Sequence, residues 1–568
     1  MARGTGRGRR DLLPAAGALG GAAVDHEPVS EPASGPVSAS ASPSPSVPQP
    51  ASGSESGSGI GGADAGAAAN ELPAPGGSAS SRPQPRRTVV VIGGGMAGLV
   101  AARTLLARGM NVMVLERSER FGGTVDGRSL GGFRLDSGAE SFSTRSATVP
   151  ALAAELGLAE RIVAPDATGA WVQLPGKSLS ASAQPLPNSG VLGIPADPSD
   201  PAITAVIGRA GSLRAALDRV LPVGSLATRS GVSLGELVRT RMGEEVLTRL
   251  VAPVAGGVFS ANPDDLDVDS VAPGLRSTMG RVGSLGAAAG ALRAAAPAGA
   301  AVGGLAGGMA QLRDALVERL RADGADLRTH EQVSVVTRAG AGWSVTTEHS
   351  GLTRRIGADA VVVATEGRSA VDLLAPALPS LAGERPDPVP GVALVTLIVD
   401  VPELDARPRG TGVLVARGVE GVAAKALTHS TAKWAWLRDQ AGPGSHVLRL
   451  SFGRVGDSPA DVGLGSPDDV LYQHALADAS TLLDVAIGEA DVLDWDVVRW
   501  AGALPHASVG HRERVARIRS MVAAASDSLA VTGGWLAGTG LVAVIDDARA
   551  RATALADALD LGSTADPL

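Results

Sequence analysis

The sequence predicts an α/β fold built around a parallel, dinucleotide-binding sheet, and three neighbouring observations predict it. Thr88-Val89-Val90-Val91-Ile92 is a continuous β-branched run, the pattern of a strand buried on both faces. Gly93, Gly95 and Gly98 follow in the spacing G-x-G-x-x-G and lead into Met96–Arg108, whose alanines and leucines favour helix. A second strand, Asn111–Leu115, then ends at Glu116, 18 residues after Gly98.

Each residue type in that turn has a physical reason. Gly93 permits the tight turn, Gly95 lets the backbone approach a pyrophosphate, and Gly98 lets helix and strand pack closely. Met96 and Ala97 open the helix, so an anion there meets free N–H groups at the positive end of its dipole. Glu116 is placed to accept hydrogen bonds from an adenosine ribose, which suits NAD or FAD better than NADP. In a chain with 75 glycines the motif alone is weak, and it is the strand, helix, second strand and terminal acid together that make it specific.

At 568 residues the chain exceeds one hydrophobic core, so two or three domains are expected. Hydrophobic residues make up 44% and aromatics 2%, so the core must be built of Ala, Val and Leu. A net charge of −8 argues against a nucleic-acid partner. With no cysteine there is no disulfide, thiol catalysis, cysteine-ligated metal or cysteinyl-linked flavin. Lysine occurs only at Lys177, Lys425 and Lys433, beside many arginines, as GC-rich codon usage would give.

Residues 1–85, typified by Ser40-Ala41-Ser42-Pro43-Ser44-Pro45-Ser46, lack periodicity and apolar content, so a disordered tail is expected. Arg7, Arg9 and Arg10 precede Leu12-Leu13-Pro14-Ala15-Ala16, but the apolar stretch is short and broken by Pro14, so a non-functional extension is preferred over an export signal. No segment offers about 18 uncharged apolar residues. Leu285–Val302 comes nearest and Arg293 interrupts it, so no transmembrane helix is expected. Asp265, Asp267 and Asp269 have the spacing of a calcium loop, but Ser270 and Arg276 stand where it needs glycine and glutamate. A solvated acidic turn, and no metal site, is expected there.

After Glu116, Arg117-Ser118-Glu119-Arg120-Phe121-Gly122-Gly123-Thr124 offers backbone N–H groups and Arg120 to a phosphate. Gly132–Phe142 reads as a short strand entering a glycine turn at Gly138-Ala139-Glu140. These segments resemble the flavin amine oxidase superfamily, in which the second approaches the flavin. Gly169–Gly176, Leu186-Pro187, Gly190–Pro195 and Leu250–Ser260 narrow the resemblance to the oxygen-dependent protoporphyrinogen and coproporphyrinogen III oxidases of haem synthesis, of Gram-positive bacterial type. It runs from about Arg87 to about Ala556.

The resemblance implies a discontinuous Rossmann-like FAD-binding domain with an inserted mixed-sheet substrate domain and a helical subdomain. The FAD-binding parts are expected at 86–165, 303–375 and 523–568, the substrate parts at 166–194 and 376–522, and the helical insert at 195–302. Implied FAD contacts come from Arg117, Arg120, Gly122, Gly123 and Thr124, from Gly138, Ala139 and Glu140, and from Val333 beside the adenine. Ala364-Thr365 is implied too, with Glu366 where members often have proline. Gly538 and Leu541 complete the set at a third strand–glycine–helix turn, where Trp535 stands in place of the usual acid or amide.

The implied reaction is the six-electron oxidation of a porphyrinogen to a porphyrin. Each of three rounds takes a hydride from a meso carbon and a proton from a pyrrole nitrogen, with dioxygen as acceptor and hydrogen peroxide as its product. Gain of conjugation drives the reaction, so no catalytic base is named. Substrate propionates need cations, and Arg145, Lys433 and Arg449 are the candidates. Glu140 stands about where some relatives carry a substrate-binding arginine, and His506 and Ala507 replace a typical glutamine and tyrosine.

With no spanning segment and no apolar docking surface, the four-propionate coproporphyrinogen III is favoured over protoporphyrinogen. A cytoplasmic enzyme in transient contact with neighbouring haem-pathway enzymes is expected. An amine oxidase or carotenoid desaturase is the nearest alternative, and a chain whose only tyrosine is Tyr472 is poorly suited to the aromatic cage common in amine oxidases. The non-enzyme alternative is a cofactor-free escort protein, against which the intact Gly93, Gly95, Gly98 and Glu116 argue.

Overall fold

The computed structural model describes residues 86–564 apart from 177, 188–189, 296–300, 389–390, 459 and 503–506. The expected tail and His506 lie outside the described residues.

The β-branched run forms β1 (Thr88–Ile92), and its neighbour in sequence forms β2 (Asn111–Leu115). With β3 (Asp326–Arg328), β4 (Ala360–Val363) and β5 (Leu529–Val531) they build a five-stranded parallel sheet in the order β3-β2-β1-β4-β5. Among the helices that flank it are α1 (Met96–Ala107), α2 (Ala310–Ala322), α3 (His511–Ala525) and α4 (Leu541–Thr564). Val89 and Val91 pack with α1, α2 and α4, whereas Val90 and Ile92 pack with α3 on the other face. Coverage of both faces is why β1 reads as unbroken apolar rather than alternating. Antiparallel strands Gln332–Ala339, Gly342–His349 and Leu352–Ala358 share the α3 face, anchored by the buried Trp343.

A second, seven-stranded sheet joins Trp171–Gln173 and Ala183–Pro185 to Val392–Asp400, Gly412–Val415, Ala426–His429, Ser445–Phe452 and Val492–Trp500. It is mixed, because Gly412–Val415 pairs in parallel with Trp171–Gln173 while its other pairs are antiparallel. Between Pro201 and Ala294 the regular elements are helical. Here Arg241, 1% exposed, meets Asp218 at 2.6 Å and also donates to the carbonyls of Leu221 and Pro222. Asp218 in turn accepts from Gly286 N at 2.9 Å, so one buried ion pair ties three segments of the insert. Asp267 caps the short helix Val268–Val271 and Asp269 pairs with Arg276, so these carboxylates serve local structure.

The insert corrects one expectation. Leu213, Leu217 and Val220 are 73%, 49% and 77% exposed and form an apolar stripe. The helix Pro201–Ala216 breaks at Gly208 (φ 74°, ψ 166°), so the apolar period does not run through it; its second half turns Leu213 outward, and Leu217 and Val220 follow beyond its end.

In the second sheet His429 is fully buried, its Nε2 3.0 Å from Nδ1 of His446, which also meets Thr431 Oγ1 at 3.2 Å. Burial, with His446 and Arg407 nearby, pushes His429 down to about 3. Between that value and the unfolded value of about 6.5 the unfolded chain binds the extra proton, so stability falls as pH drops through this window. The slope from this group is at most about 1.4 kcal/mol per pH unit. Urea midpoints from pH 7 to 4 are expected to fall less steeply in His429→Gln, and parallel curves would refute this origin.

Candidate functional site

The order of β1 and β4 reverses the chain's direction of progress across the sheet, which leaves a crevice at their C-terminal ends. A cavity of about 820 Å³ opens there, within the usual range for a ligand site. Gly95, Met96, Ala97, Arg117, Gly122, Gly123, Thr124, Ala139, Ala364, Thr365 and Leu541 all line it, so segments far apart in sequence meet at one cleft.

The glycines of the first turn divide into two kinds. Gly93 (φ 101°) has a left-handed backbone, and a Cβ there would meet Ala364 O at 2.8 Å. A Cβ on Gly98 would lie 1.9 Å from Gly93 O, so its hydrogen is what lets α1 sit on the turn. Gly95 instead has nothing within 4 Å of a built Cβ and faces the cleft. It also caps α1 with no side-chain hydrogen bond, which leaves the first N–H groups of the helix for an anion.

The next two glycine segments lie side by side. Ala139 N donates to Thr124 O at 2.9 Å, and a Cβ on Gly138 would come within 2.1 Å of that oxygen. Arg313, 7% exposed, fixes the first of them by donating to Phe121 O at 2.8 Å and Asp126 Oδ1 at 2.9 Å. Sequence reasoning missed Arg313, although an arginine on the apolar face of α2 is a readable signal.

Glu116 Oε2 accepts from Gly94 N at 2.7 Å, and Oε1 accepts from Ser118 N and Oγ. Three of a carboxylate's roughly four acceptor positions are thus taken. Val333 does not line the cavity: it packs against the core on the α3 face, and its strand meets the Glu116 turn through Glu331 N, which donates to Glu116 O at 2.9 Å. Glu366, the departure from the family pattern, caps the helix Gly367–Leu374 by accepting from Arg368 N and Ser369 N. Trp535 lines the cleft at 8% exposure, and its indole Nε1–H has no partner among the described residues. Gly538 (φ 108°) makes the left-handed turn between Trp535 and α4.

Other expected contacts are engaged elsewhere. Arg120 pairs with Glu119 at 3.2 Å and Asp126 at 3.4 Å and does not line the cavity. Arg145 is exposed outside the cleft. Lys433 and Arg449 both pair with Glu140, Arg449 at 3.3 Å, behind the cleft wall formed by Ala139 and Ser141. Burial would raise the Glu140 carboxyl, yet Arg449 and Lys433 hold it down at about 2. Arg449 also donates to Gly138 O at 3.0 Å and Trp500 Nε1 to Ser137 O at 2.7 Å, so the second sheet grips this turn. Asp136 opens the same turn and accepts from Met309 N and Ala310 N at the start of α2. Burial raises it to about 6.

A family profile described as flavin containing amine oxidoreductase matches residues 96–558. The chain belongs to that family. It is 33% identical over 497 residues to a coproporphyrinogen III oxidase of Mycobacterium tuberculosis, covering 84% of this chain and 98% of the relative. It is 28% identical over 487 residues to the coproporphyrinogen III oxidase of Bacillus subtilis, with the same coverage. A solved structure from Exiguobacterium sp. 255-15, a candidate protoporphyrinogen oxidase, superposes with a TM-score of 0.71 at 25% identity over 83% of this chain and 98% of that one. Putrescine oxidase bound to putrescine shares the fold at 16% identity and a TM-score of 0.56.

The chain is therefore an oxidoreductase of a flavin-dependent family, and the cleft fits a flavin on its own terms. It has an open cradle at Gly95 that a Cβ would fill, an uncapped helix N-terminus for phosphate, and a buried indole N–H with no partner among the described residues. No described helix is long and apolar enough to cross a membrane.

Proposed function

We propose that this chain binds FAD and oxidises coproporphyrinogen III to coproporphyrin III in haem synthesis, with dioxygen as acceptor. Likeness to coproporphyrinogen III oxidases along almost their whole length carries this reading. Two-electron oxidation is the chemistry that a bound flavin supplies. The first N–H groups of α1 at Met96 and Ala97, with the Gly122-Gly123-Thr124 turn, would hold the diphosphate. Gly95 would admit it closely, with Gly93 and Gly98 setting the turn. Glu116, Arg117 and the Val333 backbone would hold the adenosine end. Ala139, Ala364-Thr365, Leu541 and Trp535 would line the remainder, with Gly138, Glu140 and Gly538 shaping the turns behind them.

We propose the same three-part FAD-binding domain, 86–165, 303–375 and 523–568. It is supported by the strands of the parallel sheet, two of which fall in the first part, two in the second and one in the third. Each round releases one proton as conjugation grows, and over the three rounds four meso and two pyrrole hydrogens are lost, so no side chain is assigned as general base. We propose a cytoplasmic enzyme in transient contact with neighbouring haem-pathway enzymes.

The discriminating measurement is kcat/KM for both porphyrinogens, in detergent-free buffer and again with lipid. The ratio is the relevant quantity, since only differential transition-state binding separates the two. Coproporphyrinogen III is expected to be preferred by at least about tenfold, the value of one well-made polar contact. Protoporphyrinogen preferred in both conditions overturns the substrate. A flavoprotein inert toward both returns the amine oxidase reading, and a colourless protein returns the escort.

A further inference from the structure

The proposed substrate carries propionates, and the cations first offered to them are neutralised or lie outside the cleft. Three other arginines line the cavity. Arg117 acts electrostatically on Glu366, and Arg368 donates Nη1 to Pro386 O at 2.9 Å. Arg514 differs from both. Among the described residues its guanidinium makes no ion pair and no hydrogen bond, although the Asp387 carboxylate shares the cavity wall.

Its placement runs against the ordinary preferences of a helix. Arg514 is half-buried in the first turn of α3, where the positive end of the dipole disfavours a cation. A half-buried, unpaired charge in that position is costly in the free protein and is relieved by an anion. α3 packs on the face of the sheet opposite α1, and Arg514 lines the same cavity as the glycine cradle at Gly95. The chain reaches it from strand Val492–Trp500 of the second sheet through the cleft-lining Ala501, Gly502 and Ser508.

We propose that Arg514 is the carboxylate anchor of the cleft and pairs with one propionate of the porphyrinogen. The proposal rests on the substrate class argued above. A guanidinium presents two parallel N–H donors to a carboxylate, which fixes orientation as well as charge. A macrocycle held at one edge in this way is set in one in-plane orientation against the opposite wall.

The test uses the flavin-loaded full chain and the fluorescent product coproporphyrin III, so binding is read without turnover. Arg514→Ala is expected to weaken coproporphyrin III binding by about 10–100-fold and to raise KM for coproporphyrinogen III in step. Flavin content should stay at the wild-type level, and Arg514→Lys should recover part of the affinity. The tetramethyl ester of coproporphyrin, which has no carboxylate, should bind wild type and Arg514→Ala alike. Loss of flavin from Arg514→Ala would assign the side chain to the cofactor's phosphates and overturn the proposal. An equal loss of ester binding would reduce the residue to packing, and unchanged coproporphyrin affinity would leave it no role. A wild-type protein that neither binds coproporphyrin nor oxidises coproporphyrinogen overturns the functional reading itself, before any substitution is made.

Discussion

Gly95→Val is expected to give a folded protein that purifies without flavin, whereas Gly98→Val is expected not to fold. The two positions lie three residues apart in one motif, and their surroundings separate them. Gly95 has φ −71° and ψ 177°, an ordinary extended backbone that valine adopts without strain. A built Cβ there touches nothing within 4 Å, so the added branches occupy only the cleft. They fill the space in which a diphosphate would approach the N–H groups of α1. The variant therefore loses the stabilisation a tight ligand confers, about 4 kcal/mol at a thousandfold excess over Kd, and nothing more.

Gly98 faces the carbonyl of Gly93 across a gap that leaves a Cβ only 1.9 Å from the oxygen. That contact is between two backbones, and neither can yield without separating α1 from β1. Flavin absorbance per protein, with circular dichroism as the control for folding, distinguishes the two variants. Wild-type flavin content in Gly95→Val would remove the diphosphate from this turn.

The sequence could be read wherever the deciding contacts are local. β1, α1 and β2 follow from a β-branched run, a glycine spacing and an alanine-rich stretch, all within 28 residues. Val392–Asp400 and Val492–Trp500 likewise follow from apolar, β-branched content. The charges could not be read in this way. Lys433 and Arg449 look like free cations in sequence, and their partner Glu140 lies 293 residues before the first of them. Only the fold brings that carboxylate between them. Trp535 appeared as the loss of an acid or amide, and its orphaned indole N–H becomes visible only when the cleft closes around it. Arg514 carried no local signal either, since HRER at a helix start reads as a solvated face until the cleft is seen beside it.

Glu140→Leu is expected to destabilise the protein by about 3–5 kcal/mol, because it removes one partner from a buried ion cluster and leaves two cations behind. Lys433, Glu140 and Arg449 have side chains only 16%, 13% and 15% exposed, so water does little to compensate. Removing a cation along with the acid should restore part of the loss, so Glu140→Leu combined with Lys433→Met is expected to be more stable than Glu140→Leu alone. The pH dependence has a defined sign. The folded carboxyl lies near 2, below its ordinary value of 4.5, so the cluster's contribution is complete above about 4.5 and is lost as pH falls toward 2. The gap between wild type and Glu140→Leu should narrow across that interval. Function is affected through position, because Ala139 and Ser141 on either side of Glu140 line the cleft. A turn released from Lys433 and Arg449 is free to drift, and a shift of about 1 Å can cost on the order of 100-fold in rate. Urea melts at pH 7 and pH 4, with kcat measured on the flavin-loaded fraction, test both statements. A loss below about 1 kcal/mol at pH 7 would show that the cluster behaves as an exposed salt bridge and does not hold the turn.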